Sequence, residues 1–154
     1  MTTRRSVLNS FLAGLAGSAA HLTLMSLKDA TGLLPGFQPF AEVQRGLVMM
    51  TGATAPVWLV WLLSFFNGSL VLGFVFSRVF RYLPARSSLA KGITFGVFAW
   101  LLSGLAMFPA LGRGLFAVGL GLGAAPAFLM LVMLIAYSTC MSLAWSTLES
   151  PGRV

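Results

Sequence analysis

The sequence predicts an all-α membrane protein, a four-transmembrane-helix bundle with a short interfacial helix in its first outer loop. Three observations predict it. Apolar residues make up 58% of the chain and charged residues 8%. Soluble domains carry roughly 25% charged residues, so a water-facing surface of this size lacks the charge to cover it. The apolar residues gather in four stretches of about 20 residues, enough for a helix rising 1.5 Å per residue to cross about 30 Å of hydrocarbon. The ten Lys/Arg and three acids lie almost wholly between those stretches. At 154 residues the chain has room for a single integral membrane domain.

The first span covers about 7–27 and is rich in Ala, Gly and Leu. Arg4 and Arg5 precede it in a pattern resembling a twin-arginine export signal. That route serves folded soluble cargo, whereas the rest of this chain is membrane-spanning, so the first span is expected to be retained. Residues 28–56 follow, too long for a tight turn and broken by Pro35, Gly36 and Pro39. Pro39 suits the start of a short helix over about 40–51. Phe40, Val43, Leu47 and Met50 recur there at helical spacing, and Glu42 and Arg45 face elsewhere. This is the expected interfacial helix, capping the bundle with its apolar stripe.

The second span covers about 57–77, the third 89–108 and the fourth 126–145. Helix is the only option for each, because hydrocarbon offers no partner to an open backbone. Residues 109–125 hold Gly112, Gly114, Gly119, Gly121 and Gly123. They lack the Lys-Ser/Thr ending of a P-loop and any strand context. A close-packed turn with a short re-entrant segment is expected.

Loop charges set a direction. Arg4 and Arg5 precede the first span, and Arg78, Arg81, Arg86 and Lys91 separate the second and third with no acid among them. Lys28 and Arg45 in the first outer loop are offset by Asp29 and Glu42, with Lys28–Asp29 and Arg45–Glu42 as the expected pairs. Arg113 stands alone in the second outer loop, and the tail holds Glu149 and Arg153. Cytoplasmic loops carry the excess of Lys/Arg, so both termini and the 78–91 segment are expected inside. The same bases suit anionic lipid head groups. The +7 formal charge is tied to span ends and gives no nucleic-acid footprint.

An ionisable group inside a span is a functional candidate by default, and His21 is that group. It lies about 6 Å from the centre of the first span toward the outer side. Ser64 and Ser103 match that depth on the second and third spans, and Tyr137 lies about a turn deeper on the fourth. A neutral His21 bonded to one of these hydroxyls would lock helix register. The alternatives are a haem or quinone ligand, or a proton relay or solute path. A membrane b-type haem takes two histidines and the chain has one. Asn67, at mid-membrane, is expected to bond across helices. With three scattered acids, one His and one Cys (Cys140), neither an acid–base set nor a metal cluster can be assembled, and no cofactor is expected.

Small residues mark the packing faces. Gly92 and Gly96 form a GxxxG, Gly104 continues that face, and Ala13/Gly17 and Gly14/Ser18 repeat the spacing in the first span. Packing within the chain, self-association and docking on another subunit all fit such faces. The small-residue-rich first helix and the set Gly92, Phe95, Gly96, Trp100, Pro109, Gly112, Gly114 and Phe116 resemble the YagU-like four-helix proteins of the bacterial inner membrane. The resemblance implies that location and little about activity. Relatives carry a histidine in the fourth-helix region, and this chain has none there.

The expected function is therefore a non-catalytic accessory or assembly subunit of a larger inner-membrane complex, partnered by lipid and by other membrane subunits or its own copies. A small oligomeric transporter or channel with His21 near the path is the second reading. A haem or quinone protein is the third.

Overall fold

A computed structural model describes residues 3–149, all-helical apart from its connections. Arg153 of the orientation argument lies outside the described residues, as do the side chains of Arg4 and Arg5. Five helices order the chain: α1 (Thr3–Ala30), α2 (Pro39–Thr51), α3 (Val57–Tyr82), α4 (Ser88–Ala110) and α5 (Ala125–Glu149). All but α2 are long and apolar enough to cross a membrane. They overrun the apolar stretches by a few residues because a helix continues into its polar flanks until a cap or breaker stops it.

The ends are set locally. Pro39 occupies the first turn of α2, where its missing N–H has no intrahelical acceptor to lose. That helix stops at Gly52, which adopts φ 71° and returns its N–H to the Val48 carbonyl. Ser87 caps α4 by accepting from the Ala90 N–H at 3.2 Å. Two spans contain a wide π turn, at Asn67–Leu72 in α3 and at Ser103–Met107 in α4. The connection between α4 and α5 includes a short 3-10 turn, Leu115–Leu120, with Phe116 and Ala117 at positive φ and Ala117 fully buried.

α5 is the central helix, packed along both α1 and α4, and α1 in turn holds α3. The outer helices α3 and α4 meet chiefly through aromatic rings: Phe76 stands edge-on to Phe95 at 5.0 Å between centroids. Asn9 donates to the Leu148 carbonyl, Ser10 to Ser77, and Ser142 to the Ser88 carbonyl. These bonds put the ends of α1 and α5 and the α3–α4 connection at one end of the bundle. α2 and the 111–124 segment form the other. Each end has its own apolar cluster, Phe76, Met141 and Trp145 at the first and Phe37, Phe108, Ala117 and Met130 at the second.

The small residues work inside the chain. A Cβ at Gly92 would stand 2.6 Å from the Thr139 Cα, and one at Gly96 2.9 Å from the Ile135 Cα. Gly17 faces the Tyr137 ring at 2.9 Å by the same measure, and a Cβ at Gly14 would run into the Ser69 carbonyl. Gly104 accommodates the Phe116 ring, which bends the second outer connection back over the bundle.

The orientation of α2 differs from the expected one. Glu42 is buried at 4% exposure, while Val43 and Met50 of the apolar stripe are 37% and 86% exposed. The reason is a long-range ion pair, described below, that outweighs the local stripe. Phe40 still packs inward, stacked on Trp61 at 4.0 Å.

Overpacking a tight contact costs about 1–3 kcal/mol. Gly96→Val is expected to lower the thermal unfolding midpoint of the detergent-solubilised protein. Phe98→Ala, on a 59% exposed site of α4, leaves it near the parent value.

Candidate functional site

The polar side chains inside the spans form a seam between α1, α3 and α5. Ser18 and Ser69 share a hydrogen bond at 3.1 Å, and both are buried. Tyr137 donates its hydroxyl to the Gly68 carbonyl at 2.5 Å, inside the π turn of α3. Such bonds between membrane helices contribute about 0.6 kcal/mol each, up to about 1.7. Their geometric effect is larger, because each fixes one helix's rotation against the next.

His21 stands at the edge of this seam. Gly17 sits on the Tyr137 ring, and His21, one helical turn further, meets the same ring edge-on at 6.5 Å between centroids and 86°. Among the described residues it makes no hydrogen bond. The expected bonds to Ser64, Ser103 or Tyr137 are absent: the Ser64 hydroxyl is buried without a partner, Ser103 is half-buried at the start of the second π turn, and the Tyr137 hydroxyl is held by Gly68. Depth along the membrane normal is only one of two helical coordinates. The other, rotation about the axis, is set here by the Gly14, Gly17 and Ser18 contacts.

Asn67 departs further from its expected role. It is exposed on α3 and makes no hydrogen bond across the bundle among the described residues. Gly68 and Ser69 beside it are buried against α1 and α5, so the polar contacts of this turn come from its backbone and from a serine.

Outside the spans, Arg113 grips Glu42 with two bonds of 2.8 Å, from Nε and from an Nη. The expected Glu42–Arg45 pair does not form, and Arg45 is exposed. A forked guanidinium matches a carboxylate bidentately, and its reach lets it cross between the two outer connections. The hydrogen-bonded carboxylate raises the Arg113 pKa above its ordinary value. The signal was available in sequence: Arg113 is the lone charge of 109–125, facing a loop that holds two of the three acids. The Lys28–Asp29 pair forms as expected, at 2.8 Å, and Gln38 adds a bond to Asp29.

At the opposite end, Arg78, Arg81 and Arg86 are exposed. Arg78 lies over the Phe74 ring at 4.5 Å and Arg81 over Tyr82 at 4.6 Å. Lys91 differs from them: it donates to the Phe80 carbonyl at 2.8 Å and sits over that ring, joining α4 to the end of α3.

Chemically, the seam offers one imidazole, one phenol already bound to a carbonyl, and several serines. No group of three or more His, Cys, Asp or Glu occurs among the described residues. Cys140 is half-buried and free. What the arrangement does supply is a clamp that joins α2 and the 111–124 segment into one cap. Hydrogen bonds to charged groups contribute about 1.5–3 kcal/mol. Glu42→Gln is expected to speed amide hydrogen exchange across 111–124 and 39–51 at least several-fold while leaving the middle of α5 unchanged.

Comparison with curated proteins and with solved structures finds no match. Residues 4–153 match a family described as "Family of unknown function (DUF6789)". That match runs over nearly the whole chain and has no specific link to the YagU-like proteins. With its all-helical architecture and four span-length helices, the chain belongs to the DUF6789 family.

Proposed function

We propose that the protein is a non-catalytic, multi-pass subunit of a bacterial inner-membrane complex, serving its assembly or accessory function by packing against other subunits. The observation that supports this most is the clamped cap. Glu42–Arg113 makes one rigid unit of two connections that lie beyond the spans, and that unit turns Met49, Met50, Leu115 and Val118 outward at 59%, 86%, 57% and 60% exposure. Exposed apolar groups held on a fixed frame are what a docking partner needs. The glycine faces are already occupied within the chain, so docking falls to the cap and to the outer helices.

The orientation belongs to the same reading. Three exposed arginines share one end of the bundle with the ends of α1 and α5. The positive-inside tendency then favours a cytoplasmic position for that end, and the YagU-like resemblance favours the inner membrane.

Isolation from native membranes in mild detergent, followed by mass measurement of the intact assembly, tests the proposal. A second, different membrane polypeptide is expected at fixed stoichiometry, and Met50→Asp is expected to release it. A monodisperse particle of this chain alone would overturn the reading.

A second reading, a small oligomeric transporter or channel, draws on polar groups inside the spans that make no hydrogen bond among the described residues, the His21 imidazole and the buried Ser64 hydroxyl among them. It expects purified protein in liposomes to conduct protons or small cations, and His21→Ala to cut that flux at least several-fold. Equal flux in the two preparations removes it.

A further inference from the structure

We infer that α3 carries a self-association face, and that a second copy of the chain covers it with the two Asn67 carboxamides bonded to each other across a two-fold axis along the membrane normal. The starting observation is a polar side chain in the wrong solvent. Asn67 lies near the middle of a 26-residue span, within an 18-residue stretch of mean hydropathy 2.0. It is exposed, and its carboxamide has no hydrogen-bond partner among the described residues. Lipid tails offer an amide neither a donor nor an acceptor, and water does not reach that depth.

The surroundings form a continuous face. Leu63, Val71 and Val75, at four-residue steps from Asn67, are 41%, 54% and 43% exposed. A four-residue step lies between the one-turn repeats of the α-helix and the wider π-helix, so the row stays in line through Asn67–Leu72. The opposite side of the helix is taken: Gly68, Ser69, Gly73 and Phe76 are buried. α2 reaches α3 at its outer end, with Phe40 on Trp61, and leaves Asn67 uncovered.

The chemistry selects the occupant. A carboxamide is both donor and acceptor, so an identical residue at the same depth completes it. A two-fold axis along the membrane normal brings identical residues together at identical depth without any further matching. The row carries no charge, so two copies meet without repulsion. This interface is separate from the outer cap proposed to receive a different subunit, and it does not rest on that reading.

The test uses the purified full chain, labelled as donor and acceptor copies and reconstituted in phosphatidylcholine vesicles over a range of protein-to-lipid ratios. Energy transfer is expected to report dimers, and Asn67→Leu to weaken association by about 3- to 20-fold, the range typical of a polar bond between membrane helices. Asn67 faces away from the packed seam, so this variant keeps the parent unfolding midpoint. In a Cys140→Ala background, Val71→Cys is expected to form an intermolecular disulfide, and Phe98→Cys on α4 is not. Monomers at every ratio, association of Asn67→Leu equal to the parent, or preferential cross-linking at 98 would each overturn the proposal. All of these are read with this chain alone, so they are distinct from co-isolation of a different subunit.

Discussion

The close backbone approach of α5 to its two neighbours is the constraint on which the rest of this structure depends. In water, burying an apolar face drives helices together. In lipid the tails are as apolar as leucine, and association must come from dense packing and hydrogen bonds. Dispersion gains fall off within an ångström, so helices gain from packing only when their backbones come close. Gly92 and Gly96 allow that on α4 and Gly17 allows it on α1, while Gly14 does the same between α1 and α3. The partner surface on α5 is built from Ile135, Ser138 and Thr139, residues with short or β-branched side chains that keep the contact flat.

Once the backbones are close, the polar groups have little choice of position. Serine is useful here for two reasons at once: it is small enough for the contact and able to satisfy an acceptor. Ser69 and Ser142 are fully buried and hydrogen-bonded, Ser69 to Ser18 across α1 and α3 and Ser142 to the Ser88 carbonyl, whereas the buried Ser138 serves the contact by its size alone. The π turn of α3 fits the same logic. It brings the Gly68 carbonyl within reach of the Tyr137 hydroxyl, tying α3 to α5 in addition to the packing of Phe76 on Met141 and Trp145. α1 and α5 are thereby held from both sides, and α3 and α4 are left as outer helices with one broad face each turned outward.

The hydrophobic pattern made the spans legible, because lipid imposes length and helicity residue by residue. α2 was legible too, from Pro39 and an amphipathic period, although its burial was not. A helical period describes a helix alone; it holds no information about Arg113, 71 positions away, whose fork draws Glu42 inward and leaves Met50 outside. The same limit applies to His21. Matching depths on four helices identified Ser64 and Ser103 as its neighbours in height, but rotation is decided by which glycine meets which backbone. For Asn67 the missing ingredient was the packing of the residues beside it. Gly68 and Ser69 are the ones pressed against α1 and α5, and a side chain adjacent to a buried pair is carried around the helix away from them.

The groups left without hydrogen bonds fall into two kinds, and the difference bears on function class. The Ser64, Ser138 and Thr139 hydroxyls are enclosed, and His21 is half-buried beside an aromatic ring. Anything that satisfied them would have to enter between the helices, and among the described residues the imidazole belongs to no group of three or more His, Cys, Asp or Glu. Asn67 instead lies on the surface, in a row of apolar side chains. Whatever satisfies it approaches sideways, in the plane of the bilayer, and needs only a matching amide. Sideways approach also suits the exposed rows of α3 and α4. Glycine contacts close the interior of the bundle, and its free polar and apolar groups are turned outward; the proposed contacts with other chains draw on those outward groups.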